Sequence, residues 1–366
     1  MVRLIPLVVL LACASLLAAP AQAPSRLVVV SDIHGDYAVF VQVLQQAGVI
    51  DGRRKWAGGR TVFVQTGDVP DRGPHSRKIM DLLMDLEKQA PRAGGRVHAL
   101  LGNHEVMNMA GDLRYVTPEE YASYRSRDAE ELRERVFLAN TDVALGDDAE
   151  YRRRWMEARP LGWVELMQAF GVKGRYGRWL RRHDAVVKVG ETLLMHGGLS
   201  PAHATLTVDE INERVRTALA ADTPGAEPLI ADEDGPLWYR GLALAPEPAI
   251  AAHVDALLAH HGVKRIVVGH TVTPGVVLPR LGGKVILNDV GLSAAYEGPP
   301  SSLLIEGDAV SVRHRGTVIP LPSSSDIGRY LEAARAVEPP VSRLRAWMAQ
   351  GARWPPPASA PPPAAP

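Results

Sequence analysis

The chain has 366 residues, 46% of them hydrophobic, enough to bury a large core in one catalytic domain with an insertion or in two smaller domains. Its 41 Lys and Arg balance 41 Asp and Glu, which argues against a dedicated nucleic-acid binder and gives no net charge to draw it to anionic lipid. Cys13 is the only cysteine, so paired disulfides within the chain and cysteine-built metal sites are excluded.

The N-terminus reads as an address. Arg3 gives a positive start, Leu4 to Ala19 is an apolar run, and Ala19-Pro20-Ala21 forms a small-X-small cleavage site. Residues 1–21 are therefore expected to be a signal peptide cut after Ala21, with Ala21-Gln22-Ala23 as the alternative site. The processed chain would hold no cysteine, thiolate catalysis included, which suits a periplasmic or secreted protein free of the membrane. Two competing readings are an uncleaved anchor, for which ~18 apolar residues barely suffice, and lipid attachment through Cys13 after Leu10-Leu11-Ala12. The strongly apolar Ala14 to Ala19 counts against the second.

Short apolar runs alternate with helical patterns from Arg26 to His314. Strands are predicted at Leu27–Val30, Thr61–Gln65, Arg96–Leu101, Ala185–Val189, Thr192–Met195, Arg265–Val268, Val285–Leu287, Ser302–Ile305 and Val310–Arg313. Helices are predicted over Tyr37–Ala47, Ser76–Lys88, Val208–Ala220 and Ile250–His260. The first half alternates strand and helix and the last part is mostly strand, which points to an α/β core with two sheets. Residues 112–182 change texture to Arg- and Glu-rich helical runs such as "RDAEELRERV" and "YRRRWMEARP", read as a helical insertion whose charges are mainly a solvated face. The catalytic domain is expected to span 24–320. A C-terminal segment, 323–366, closes in the Pro/Ala-rich "WPPPASAPPPAAP", expected to be an extended tail.

Five of the strands end on ligand-type residues. "VVVSDIHGDY" ends with Asp32, His34 and Asp36, "VFVQTGDVPDRG" with Asp68, and "VHALLGNHE" with Asn103, His104 and Glu105. "LLMHGG" ends with His196 and "IVVGHT" with His270. Ligands of open α/β sheets bind at the carboxyl ends of the strands, so five such ends describe one site assembled from distant sequence. Carboxylate, amide oxygen and imidazole without thiolate suit two borderline or hard divalent ions such as Mn, Fe or Zn, with Mn favoured. Asp32 and His34 are assigned to a first ion and Asn103, His196 and His270 to a second, with Asp68 bridging.

"SDIHGD", "GDVPDRG", "GNHE", "HGG" and "GHT" together resemble the ordered signature of the metallophosphoesterase superfamily, and within it the phosphoprotein phosphatases. "GNHEVMNMAGDLRYV" (102–116) and "GPLWYRG" (235–241) are similar to the Shewanella-like protein phosphatase branch. The resemblance covers about Arg26 to Val318 and implies a β-sandwich flanked by helices with two metals at its top. It implies the same six metal ligands, His104 as catalytic histidine, Asp71 as the carboxylate that orients it, and Arg72 and Arg240 as phosphate-binding arginines. Four departures stand out. Ser31 replaces the usual Gly, Leu101 replaces a basic residue, no "SAPNY" stretch follows, and Val272 stands where many superfamily members carry a second histidine.

The implied activity is phosphomonoester hydrolysis by metal-activated hydroxide attacking in line. The expected substrate is a protein carrying phosphotyrosine, phosphoserine or phosphothreonine. The alternative is a small phosphate ester, as for a nucleotidase or a dinucleoside polyphosphate hydrolase. A non-catalytic phosphoprotein-binding module is the reading from another class, against which the complete ligand set counts. His75, His98, His183, His203, His253, His260, His261 and His314 lack this context and are read as structural or surface histidines.

Overall fold

The computed structural model describes residues 26–142, 148–220, 228–323 and 327–356. The expected leader, Cys13 and the residues beyond 356 lie outside them. Among the described residues no helix is long and apolar enough to cross a membrane.

In chain order the strands are β1 (Leu27–Val30), β2 (Val62–Gln65), β3 (Arg96–Ala99), β4 (Val186–Val189), β5 (Thr192–Met195), β6 (Arg265–Val268), β7 (Leu278–Arg280), β8 (Val285–Leu287), β9 (Ser301–Glu306), β10 (Ala309–His314) and β11 (Thr317–Pro320). They form a six-stranded sheet, β11-β10-β9-β1-β2-β3, and a five-stranded sheet, β4-β5-β6-β8-β7. Within the first, β1, β2 and β3 run parallel, with Val28 opposite Phe63 and Phe63 opposite Val97. Within the second, β5, β6 and β8 run parallel. All four residues of β1 are buried because β2 and β9 flank it and both its faces are covered, so its aliphatics need not alternate. The two sheets share one apolar core.

Helices cover the sheets: α1 (Tyr37–Gln46), α2 (Ser76–Gln89), α3 (Asn103–Ala110), then α4 (Pro118–Tyr124), α5 (Ala129–Ala139), α6 (Ala149–Ala158), α7 (Trp163–Phe170) and α8 (Arg175–Leu180). In α2, Ile79, Met80, Leu83 and Leu86 recur at helical spacing and are fully buried, whereas Arg77, Lys78 and Lys88 face solvent. Burying each such side chain contributes about 2 kcal/mol. The charges of α6 mostly satisfy one another at the surface, Arg153 pairing with Glu150 and Glu157. Later come α9 (Val208–Leu219), α10 (Glu247–His261), α11 (Gly328–Ala336) and α12 (Arg343–Ala349).

Each predicted strand and helix is present within a few residues of its expected bounds. β7 and β11 escaped the pattern. Both are edge strands holding a proline, Pro279 and Pro320, which reads as a breaker. The expected tail is also corrected at its first residue. Trp354 is packed against the core, and its Nε1 donates to the Ala243 carbonyl at 3.1 Å.

Candidate metal centre

The parallel strands of both sheets deliver their carboxyl ends to one place. His196 Nδ1, past β5, donates to the Thr66 carbonyl past β2 at 2.9 Å. The His270 amide, past β6, donates to Asp32 Oδ2, past β1, at 3.1 Å. The Ile33 and His34 amides both donate to the Asp68 carbonyl at 3.0 Å. The glycines before the polar residues are forced by this closeness. A Cβ on Gly67, whose φ is 96°, would lie 2.5 Å from the Gly102 amide nitrogen, and one on Gly269 would lie 2.5 Å from Asp32 Oδ1.

Strain concentrates at the same spot. Nine described non-glycine residues have positive φ, and five of them are His34 (45°), Asp68 (57°), Asp71 (74°), Arg72 (63°) and His270 (64°). Each left-handed residue costs roughly 1–2 kcal/mol, a cost tolerated where side-chain direction matters more than local comfort.

All ten residues singled out from the sequence come together. Asp32, His34, Asp68, Arg72, Asn103, His104, Arg240 and His270 line one open cleft of about 370 Å³. His196 is fully buried within the centre, and Asp71, also buried, backs His104. Ligand atoms of Asp68, His196 and His270 lie within 4.8 Å of one another, as do those of His34, Asp68 and His104. Asp32 stands outside both sets. Its carboxylate takes hydrogen bonds from the Ser31 hydroxyl at 2.5 Å and the His270 amide. Ser31, the departure noted in the sequence, thus orients the first carboxylate.

Tautomers follow from the second ring nitrogens. With Nδ1 donating to Thr66, neutral His196 presents its Nε2 lone pair inward. That lone pair meets Asn103 Oδ1 at 3.0 Å, His270 Nδ1 at 3.1 Å and Asp68 Oδ2 at 3.3 Å. Three of these atoms, His196 Nε2, Asn103 Oδ1 and Asp68 Oδ2, are acceptors facing one another, and they need a cation, a proton or a metal ion, among them. His270 Nε2 has no partner among the described residues. His34 repeats the arrangement, Nδ1 donating to the Pro70 carbonyl at 3.0 Å and Nε2 facing Asp68 Oδ2 at 3.7 Å. This donor set fits divalent metal ions.

The electrostatics agree. Burial opposes charge on His196, yet Asp68 and Asp32 overcome it and raise its pKa to about 9. The pocket therefore attracts positive charge even as a proton. Burial and the neighbouring His104 instead lower His34 to about 3, keeping its lone pair free. Asp68 is held well below the usual carboxylate range because His196 and His104 outweigh the cost of its burial.

His104 Nδ1 lies 2.5 Å from Asp71 Oδ2, and Asn108 Nδ2 donates to Asp71 Oδ1 at 2.9 Å. Burial disfavours the imidazolium, but Asp68 and Asp71 prevail and raise its pKa. The Arg72 guanidinium stacks on the Tyr115 ring at 4.4 Å and lies 5.3 Å from that of Tyr296, with no ion pair among the described residues. Arg240 Nη1 donates to the His270 carbonyl at 2.8 Å and to Thr271 Oγ1 at 3.2 Å.

Several contributors had no role assigned from the sequence, Glu105 among them although it closes the same strand end as Asn103 and His104. Glu105 accepts the amides of Gly102, Asp68 and Val69 at 2.8, 2.9 and 2.7 Å, tying the ends of β2 and β3 together. Its position, three residues into α3 after Gly102, carries a capping signal that could have flagged it. Tyr115, Trp238, Asp289 and Tyr296 also line the cleft. Conversely, Asp36 caps α1 by accepting the Val39 amide at 3.1 Å and takes the Ala294 amide at the same distance.

The calcineurin-like phosphoesterase family model matches residues 25–274. An uncharacterised protein of Schizosaccharomyces pombe is 35% identical over 81% of this chain and 83% of its own length. Shewanella-like protein phosphatase 2 of Arabidopsis thaliana is 31% identical over 78% of this chain and 76% of its own. The crystal structure of a cold-active protein-tyrosine phosphatase from a psychrophilic Shewanella superposes with a TM-score of 0.63 at 30% identity, covering 81% and 80% of the two chains. The chain therefore belongs to the calcineurin-like phosphoesterases, hydrolases of phosphate esters, in their Shewanella-like protein phosphatase branch.

Proposed function

We propose that the protein is a dinuclear-metal phosphomonoesterase acting on phosphorylated proteins, at phosphotyrosine and/or phosphoserine and phosphothreonine, with manganese as the favoured metal. The observation that carries this reading is the convergence of His34, His104 and His196 Nε2 on Asp68 Oδ2, at 3.7, 3.9 and 3.3 Å. Asp32 and His34 would hold a first ion, Asn103, His196 and His270 a second, and Asp68 both. Bound there, the ions acidify water to a nucleophile and withdraw charge from the phosphoryl group.

The chain's own residues do the rest. Arg72, with no ion pair among the described residues and aligned by its two tyrosine rings, presents a planar fork to phosphoryl oxygens. Arg240, anchored by Thr271 and the His270 carbonyl, approaches from the second sheet. His104, fixed by Asp71 with Nδ1 as donor, holds a proton at Nε2 for the leaving oxygen. The similar Shewanella protein-tyrosine phosphatase and the aromatic walls Tyr115, Trp238 and Tyr296 support phosphotyrosine as the first substrate to test.

The test is steady-state kinetics of the manganese-reconstituted protein on phosphotyrosine, phosphoserine and phosphothreonine peptides, nucleotides and dinucleoside polyphosphates. Phosphopeptides should give the highest kcat/KM. A preference for nucleotides or dinucleoside polyphosphates would replace the protein substrate with a small one. We further propose export through residues 1–21, with the native protein beginning at Gln22 or Pro24. Full-length chain in the cytosol would contradict it.

A further inference from the structure

β8 ends as β1, β2, β3, β5 and β6 do, on polar residues at the carboxyl end of a parallel strand, here Asn288 and Asp289. Asp289 is 1% exposed yet lines the cleft. Its Oδ1 accepts the Gly291 amide at 2.8 Å, while Oδ2 has no partner among the described residues. An asparagine would serve that turn equally well without a buried charge. The carboxylate is moreover set among its own kind, since burial, then Asp32 and Asp68, push its pKa well above the usual range. Arg240 and Arg343 feel its charge, but neither forms an ion pair with it. A buried, half-unpaired carboxylate beside two others destabilises the fold unless a cation compensates it.

The neighbouring wall says which cation. Val272 lines the same cleft and offers no ligand atom, so the first ion would draw only Asp32, His34 and the shared Asp68 from the protein. After burial, Asp32 is the largest influence on the charge of Asp289. Building on the two-ion reading above, we infer that Asp289 is a sixth strand-end group of the metal centre, its free Oδ2 accepting a hydrogen bond from water in the shell of the first ion. It acts as a positioning residue through that shell, compensating the ion's thin protein ligation.

The experiment is manganese titration of metal-free wild type and Asp289→Asn, followed by the electron paramagnetic resonance of free Mn²⁺, with thermal unfolding of both metal-free proteins. Wild type should bind two ions; one alone would defeat the two-ion reading itself. Asp289→Asn should weaken one ion on the order of 10–100-fold and leave the other unchanged. In an Asp32→Asn background, which removes a first-ion ligand, Asp289→Asn should add no further weakening. The metal-free Asn variant should melt at the same temperature as wild type or higher, since it removes an ionisable group whose charged form burial and its neighbours disfavour. Two ions bound with unchanged affinities would overturn the inference. So would a fall in metal-free melting temperature with both affinities lost together, the pattern of a purely structural residue.

Discussion

His104 Nδ1 and Asp71 Oδ2 stand 2.5 Å apart in a buried pair, and Asn108 fixes the far oxygen of the carboxylate. This leaves Nε2 as the histidine's working atom, pointed into the cleft. A proton donor matters most when the leaving group is poor. His104→Ala should therefore cost on the order of 10²–10⁴-fold on phosphoserine-type alkyl esters and much less on a nitrophenyl ester. Asp71→Asn should show the same pattern more weakly, with metal content normal in both. Equal losses on the two ester classes would mean that His104 positions phosphate and gives no proton.

Arg343 links the C-terminal segment to the cleft. Its Nη1 donates to the Tyr296 carbonyl at 3.1 Å and its Nη2 to the Thr273 carbonyl at 2.9 Å. Those bonds hold the turn whose Tyr296 ring lies beside Arg72. Arg343→Lys keeps the charge but loses the two-pronged geometry. It should raise KM and the inhibition constant for inorganic phosphate several-fold, with a smaller change in kcat. An unchanged KM would show that the turn holds itself.

Asp36 serves two elements at once, capping α1 and accepting the Ala294 amide. Asp36→Ala should cost about 1 kcal/mol in urea unfolding for the cap alone. Asp36→Asn keeps an acceptor and should recover most of it. If Asn is as damaging as Ala, charge and not the cap is what Asp36 supplies.

Far from the metals, Glu338 accepts His314 Nε2 at 2.7 Å and Arg315 Nε at 2.8 Å. Burial opposes its ionisation, but the hydrogen bonds from His314 and Arg315 prevail and lower its pKa from 4.5 to about 2. A depressed carboxylate stabilises the fold above its unfolded pKa. That stabilisation is therefore complete above pH 4.5 and fades as pH falls toward about 2. Glu338→Gln should be less stable by roughly 2 kcal/mol at pH 7, discounted for solvent around the partly exposed Arg315. The gap should narrow below pH 4.5 in denaturant titrations. A gap independent of pH would place the effect in packing.

What the sequence reveals and hides has a physical reason. A parallel strand is a run of aliphatics, and the polar residues of the cleft follow within a few positions of its end, so Asp32, Asp68, Asn103, His196 and His270 are legible as strand endings. Asp36 sits in the same stretch and looks alike, but only the start of α1 distinguishes a cap from a ligand. Asp289 follows its strand too, yet "ND" is also ordinary turn chemistry, and its burial and the influence of Asp32 arise from two separate sheets brought together by the fold. Tyr296 against Arg72, Arg343 against Thr273 and Glu338 against His314 are tertiary contacts with no local signature. β7 was invisible because three residues containing Pro279 carry too little pattern.

Asp68→Asn is the most direct test of whether Asp68 joins two metal ions, because one charge is removed from the point where three imidazoles converge. Metal content after dialysis and turnover of a phosphopeptide should be measured on the same folded sample. Both ions should be weakened together and turnover abolished. Two tightly held ions with normal turnover would contradict that bridging role.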